Sequence, residues 1–159
     1  MQCAGLRPGS GGARRALLLC SVFVVLAGGL AAAQCKATPG YVLDPGYTPT
    51  APKRASVGSG FVLTGTVSGS DDCRPIAGAT VEFWLAGPQG YTDKLRGTVV
   101  TDKNGHYRFQ SPFPAASGGP PPHIHMNVAA DAFLPIQTEC FPTRGTTSGV
   151  FDIVLDPDD

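Results

Sequence analysis

The stretch Leu95-Arg96-Gly97-Thr98-Val99-Val100-Thr101-Asp102-Lys103-Asn104-Gly105-His106-Tyr107-Arg108-Phe109 decides how the chain folds. Two runs rich in β-branched and aromatic residues flank Asp102-Lys103-Asn104-Gly105, and Asn-Gly supplies the positive φ that a tight reversal requires. The stretch therefore predicts a strand over Leu95 to Thr101, a hairpin turn, and a returning strand over His106 to Phe109. Upstream, Phe61 to Val67 reads as a strand closed by Ser68 to Asp72. Ala79 to Leu85 alternates, with Ala79, Val81 and Phe83 on one face and Thr80, Glu82 and Trp84 on the other. Gly87-Pro88-Gln89-Gly90 is a turn. Downstream, Ser111 to Pro122 is a long Pro/Gly/Ala loop, a type of segment that often carries function in compact domains. His123 to Val128, Phe133 to Thr138 and Val150 to Leu155 complete about seven short strands. With no repeat and no long helical period, residues 60–159 read as an all-β domain, an antiparallel β-sandwich. Residues 34–59, rich in Pro and Gly, read as an extended N-terminal arm over the core.

The first 33 residues read differently. Arg7, Arg14 and Arg15 precede an apolar run from Ala16 to Leu30, and Ala31-Ala32-Ala33 follows with no acidic residue before Asp44. This is the pattern of a secretory signal cleaved after Ala33. The run is broken by Gly28-Gly29 and falls short of the roughly 20 apolar residues a membrane span needs. The expected product is secreted or periplasmic, with no stable span after cleavage. It has 126 residues with nine basic and twelve acidic side chains, a net −3. Neither that charge nor the zero net charge of the full 159 residues suits a nucleic-acid binder. Cys35, Cys73 and Cys140 remain after cleavage, which predicts one bridge and one buried thiol in an oxidising compartment. Cys35 with Cys140 is the expected pair, and Cys73, beside a strand start, the expected thiol.

The chemistry concentrates at His123-Ile124-His125. Residues i and i+2 of a strand share a face, so both imidazoles project together at the end of the Pro-rich loop, with Ile124, Met126 and Val128 on the other face. Two neutral imidazoles on one rigid strand form half of a first-row metal site. The chain has only three histidines. The third, His106, falls in the hairpin return and reads as solvated.

Several motifs together resemble the intradiol ring-cleavage dioxygenases, of the protocatechuate and catechol dioxygenase type. They are Gly65 to Val67, Cys73 to Trp84, Leu95 to Gly97, Thr101 to Phe109 and Pro121-Pro122-His123-Ile124-His125. The Cys-x-x-Thr-Pro starting at Cys35 is similar to the exported branch of that family. The resemblance implies a β-sandwich holding one non-haem Fe(III) through two tyrosinates and two histidines. It also implies cleavage of a small aromatic diol with O2 between the hydroxyl-bearing carbons, as in aromatic compound catabolism. By this resemblance His123 and His125 are metal ligands, and Tyr91 is the retained tyrosinate and a catalytic residue. Gln137 is the glutamine near the reacting carbons, with Thr138 as the other alignment. Tyr107 is a packing residue.

The chain departs from the family at two positions. Ser117 stands where the displaceable tyrosinate is expected, and Pro120 where an arginine is expected. Tyr41 and Tyr47 in the arm are the other tyrosines that a substitute ligand could come from. The expectation is an exported ferric intradiol dioxygenase weakened by the loss of one tyrosine ligand. The alternative is a non-catalytic secreted β-sandwich binding module built on the same scaffold. A third reading, copper or zinc on the histidine pair, needs a carboxylate such as Asp93 or Glu139. No pattern in the sequence sets an oligomeric state.

Overall fold

A computed structural model describes residues 2–3, 35–40, 47–116 and 119–158. Tyr41, Ser117 and the expected signal segment, apart from Gln2 and Cys3, lie outside the described residues. Eight strands follow in order: β1 (Phe61–Gly69), β2 (Thr80–Gly87), β3 (Gly90–Val100), β4 (His106–Ser111), β5 (Ile124–Ala129), β6 (Ile136–Cys140), β7 (Ser148–Val150) and β8 (Ile153–Leu155). They form two four-stranded sheets. One has the order β4-β1-β7, with β8 also on β1, and the other has the order β3-β2-β5-β6. The β-sandwich expected from the sequence is what the chain adopts, antiparallel except where β1 runs parallel to β7 and β8. The last expected strand is two. Phe151 N–H donates to Thr64 O, and the Asp152 carboxylate accepts from Thr66 N–H, so the chain leaves β1 for two residues and rejoins it. Phe133 precedes β6 and pairs with Pro157 in an isolated bridge, so that strand starts later than expected.

The opening stretch corrects one expectation. Asp102 to Gly105 does make a tight reversal: Asp102 N–H donates to His106 O, and Gly105 has φ 73°. The backbone N–H groups of His106 and Asn104 donate to the Asp102 carboxylate and hold its carboxyl below the ordinary range. The strands it joins nevertheless part. β3 pairs with β2 and β4 with β1, so the turn is a corner between the two sheets, not a hairpin. The cause is local competition for β3. The short Gly87–Gly90 reversal delivers it directly onto β2, leaving β4 to take β1. Phe109 then faces Phe83 across the sandwich, rings stacked at 4.3 Å. Around them Leu63, Val81, Ile124, Met126 and Ile153 are fully buried, each contributing about 1.5–3 kcal/mol by leaving water.

Segments outside the strands close the two seams of the sandwich. Pro52 and Arg54 exchange backbone bonds with Thr98 in β3, while Ala55 and Val57 do so with Gln110 in β4. Both sheet edges on that side are thus covered, which blunts edge pairing with other chains. On the opposite side Thr38 bonds Val154 through N–H and hydroxyl, and Pro39 O accepts from the Thr138 hydroxyl. The cysteine pairing also differs from expectation. Cys35 is bonded to Cys73, with Cα atoms 5.3 Å apart, and Cys140 is joined to Cys3. Cys35 N–H donates to Ser70 O, which brings the arm to the turn that carries Cys73. Cys140 instead points into the core opposite Ile124, where Cys35 does not reach.

Candidate metal centre

The face of the β3-β2-β5-β6 sheet away from the core is where the polar side chains of that sheet gather. Strand alternation and register place them. Trp84 on β2 lies between Arg96 on β3 and His125 on β5, and His125 lies opposite Glu139 on β6. One pair further along, Asn127 lies between Glu82 and Gln137. His123 sits just before β5, behind Pro121-Pro122, and Ile124 between the two imidazoles goes into the core. Both imidazoles are buried, at 4% and 5% exposure.

Tyr91 reaches the imidazoles because β3 is irregular there. It lies in β3, which starts at Gly90 and not at Leu95 as the sequence suggested. Trp84 pairs with Arg96 and Ala86 with Tyr91, so one residue, Leu85, faces four residues of β3. An unbroken ladder would set Lys94 opposite Ala86 and turn Tyr91 toward the core. The extra residues reverse that parity and put the phenol on the imidazole face, as bulges beside functional sites do.

Three donor atoms converge. Tyr91 Oη is 3.2 Å from His123 Nε2 and 2.9 Å from His125 Nε2, and the two Nε2 atoms are 2.8 Å apart. His123 Nδ1 lies 2.7 Å from the carbonyl oxygen of Pro121. A carbonyl only accepts, so Nδ1 carries the proton and Nε2 presents a lone pair to the cluster. The three contacts then share at most two protons, from the Tyr91 hydroxyl and His125. At least one pair faces lone pair to lone pair, which a cation at the centre resolves. The spacing also fits an ion. Donors about 2.1 Å from a metal and roughly at right angles are about 3.0 Å apart. Imidazole nitrogens suit iron, copper and zinc. The Trp84 indole stacks on His125 at 5.2 Å, with planes 10° apart, and fixes the ring.

The other sequence candidates fall as follows. The Glu139 carboxylate lies 4.0 Å from His123 Nε2 and 4.0 Å from His125 Nδ1, completing a His–His–Glu group with metal-ligand spacing. The Asp93 side chain is 95% exposed and paired to Arg96, away from the imidazoles. Tyr47 does fold over this face, but its hydroxyl donates to Glu82 and accepts from Asn127, and its ring packs on Trp84. Burial, and then the Glu82 carboxylate, push its phenol up to about 12, the opposite of what a tyrosinate ligand needs. Gln137 shares the face but sits beside Asn127. Among the described residues its buried Oε1 has no hydrogen-bond partner. Pro120 is exposed and brings no cation. Arg96 is held beyond Trp84, on the side away from His125. Tyr107 is a packing residue: it is buried, donates to Phe151 O, and burial drives its phenol far above the ordinary range. His106 is exposed beside Asp102, as expected. A cavity of about 440 Å³ opens on the other sheet between Gly65, Tyr107 and Asp152, remote from this cluster. Trp84 and Tyr47 as walls of the site were not singled out from the sequence. Trp84 could have been found from its parity with Glu82, on the polar side of β2.

No family profile matches the chain. Its sequence relatives are catechol, chlorocatechol and hydroxyquinol 1,2-dioxygenases. The chlorocatechol 1,2-dioxygenase of Pseudomonas sp. (strain P51) is 31% identical over 108 residues, 51% of this chain and 43% of that protein. The catechol 1,2-dioxygenase of Acinetobacter baylyi is 27% identical over 142 residues, 65% of this chain and 45% of that protein. The chain thus spans less than half the length of these relatives. Among solved structures, a dioxygenase domain from Streptomyces sp. SirexAA-E superposes with a TM-score of 0.67 at 21% identity, over 77% of this chain and 99% of that one. An intradiol ring-cleavage dioxygenase from Tetranychus urticae gives 0.66 at 18% identity, over 79% of this chain and 97% of that one. At these identities the likeness establishes a shared fold.

Proposed function

We propose that this chain, whose sequence relatives and structural neighbours are intradiol ring-cleaving dioxygenases, is itself an exported ferric-iron dioxygenase of low activity toward catechol-type diols. The observation that carries the reading is the convergence of Tyr91 Oη, His123 Nε2 and His125 Nε2 within 3.2 Å of one another. Phenolate is a hard anionic donor suited to Fe(III), and the two neutral imidazoles add no charge. Bound there, ferric iron would supply the Lewis acidity that draws in a diol and readies its ring for O2. Tyr91 would hold negative charge at the centre. The Pro121 carbonyl keeps His123 in the ligand tautomer, and Trp84 holds the His125 ring plane. Tyr47 packs on Trp84, which in turn stacks on His125, so the two aromatic rings brace the imidazoles.

The losses set the expected rate. Ser117 offers no base of phenolate strength, and a missing positioned base costs about 10²–10⁴ in rate. Pro120 offers no cation, and a missing charge-stabilising donor costs about 10²–10³. Gln137 is the remaining polar group proposed to face the substrate. Cleavage after Ala33 would free the chain from its leader and leave Cys140 as the buried thiol beside an intact Cys35–Cys73 bridge.

The test is a visible spectrum of the protein loaded with Fe(III), with and without catechol. A tyrosinate-to-iron charge-transfer band is expected, moving to longer wavelength with catechol and absent in Tyr91→Phe. Slow formation of cis,cis-muconate should accompany it. A colourless protein that takes up no iron would sink the reading.

A further inference from the structure

Glu139 is a carboxylate at the wall of a buried histidine pair, with one oxygen 4.0 Å from each imidazole. Its position is set by the β5–β6 register, which pairs it directly with His125. One ligand atom from each of His123, His125 and Glu139 falls within 4.8 Å of the others. Two donors bound to the same ion at about 2.1 Å can be at most about 4.2 Å apart. The 4.0 Å between the Glu139 carboxylate and His123 Nε2 therefore allows those two to share one ion, whereas the 4.0 Å contact on His125 is to Nδ1, not to the nitrogen that meets Tyr91. Charge leads to the same conclusion. Two tyrosinates and two neutral histidines give a donor set of charge −2. With Ser117 in place of a tyrosine, Tyr91 and the histidines alone give −1. A carboxylate from Glu139 restores −2, and it is the only acid among the described residues that approaches the pair. The other polar groups of this face are committed elsewhere, Asp93 to Arg96 and Tyr47 to Glu82 and Asn127.

We propose that Glu139 is the fourth, anionic protein ligand of a Tyr91–His123–His125–Glu139 metal centre, compensating for the missing second tyrosinate. The assignment rests on the reading that the Tyr91–His123–His125 cluster holds iron, and it goes beyond that reading. A mixed phenolate, imidazole and carboxylate set combines hard and borderline donors and accepts Fe(III) or a divalent ion such as Zn(II). Glu139 stands at the rim, 28% exposed, so its replacement leaves the core untouched.

The competing role for Glu139 is orientation, accepting from a His125 Nδ1–H. Glutamine keeps an acceptor oxygen but is a neutral, poor ligand, so Glu139→Gln separates the two roles. The wild type, Glu139→Gln and Glu139→Ala would each be loaded with Fe(III) and, separately, with Zn(II). Metal per chain, affinity by chelator competition, and the position of the iron charge-transfer band would be read. Both variants should bind either metal at least about 10-fold more weakly, since even outer partners of ligands cost that much. The Glu139→Gln iron band should move to longer wavelength, because iron with one less anionic ligand accepts phenolate electron density more readily. Wild-type behaviour in Glu139→Gln, with weakening only in Glu139→Ala, would overturn the ligand role in favour of orientation. An iron band unchanged in both variants would overturn it and leave the dioxygenase reading standing. Glu139-dependent Zn(II) binding without any iron band would uphold the ligand and sink that reading. Uptake of neither metal would overturn both.

Discussion

The Cys35–Cys73 bond makes a prediction that the rival pairing with Cys140 does not share. The two cysteines are 38 residues apart in sequence. In the chain-entropy description, closing a loop of that length in the unfolded chain stabilises the fold by about 3.9 kcal/mol. For a domain of this size each kcal/mol moves the melting temperature by about 4 °C, so loss of the bond should lower it by about 15 °C. The assay is a double-mutant cycle on the oxidised protein, with Cys35→Ala, Cys73→Ala and the pair together. Each single variant should lose nearly the full amount, and the double should lose no more, because the second substitution removes a sulfur already without its partner. In the chain cleaved after Ala33, Cys140→Ala removes a sulfur from a fully buried site and should cost about 1–2 kcal/mol as a cavity. Its effect should add to that of Cys35→Ala. The reasoning is refuted if Cys35 couples to Cys140 and Cys73→Ala is silent. The coupling of Cys35 to Cys73 does not depend on whether the leader is retained, since a Cys3–Cys140 bond involves neither cysteine.

Two further outcomes follow from the site face. Trp84→Phe should keep the fold but hold Fe(III) about 10-fold more weakly, because the smaller ring no longer clamps His125; unchanged affinity by chelator competition would remove Trp84 from the positioning role. Tyr47 ionises near pH 12 in the fold against about 10 when unfolded, so the folded state favours the protonated phenol. The associated stability is fully present below about pH 10 and is lost as pH rises from 10 to 12. Urea midpoints measured across that window should fall in the wild type and fall less in Tyr47→Phe; parallel curves would contradict the burial and Glu82 argument.

How legible was the fold? Alternation in Ala79 to Leu85 assigned the inward and outward faces of β2 correctly, and Val81 and Phe83 are indeed in the core. Alternation is local physics, because it depends only on which side of a pleat each residue takes. The partner of each strand is not local. Asp102 to Gly105 has all the chemistry of a hairpin turn and makes the turn, yet β3 and β4 separate into different sheets. Partner choice was settled by the shorter Gly87–Gly90 reversal and by the core contact of Phe83 with Phe109, neither of which the turn residues encode. The disulfide failed for the same reason. Spacing along the chain does not say which cysteine faces the arm and which faces the core.

The site divides along the same line. The i, i+2 spacing of His123 and His125 placed both imidazoles on one side of the chain, His125 in β5 and His123 just before it, and the Pro121 carbonyl orients the His123 ring so that the Nε2 atoms lie 2.8 Å apart. Tyr91 required an irregularity that reverses strand parity, which a single sequence does not signal and only a motif resemblance suggested. Glu139 required a register. A one-residue slip of β6 would exchange it for Cys140 or Thr138 and bury it in the core. Burying a carboxylate there without a partner would cost far more than the sheet could return, so the register that saves the core also presents the acid to the histidines. The demand that no charge be buried alone and the assembly of a mixed donor set are met by one choice of pairing. That is why, on the proposed reading, the sheet could supply an anionic ligand that Ser117 does not offer, without a new fold.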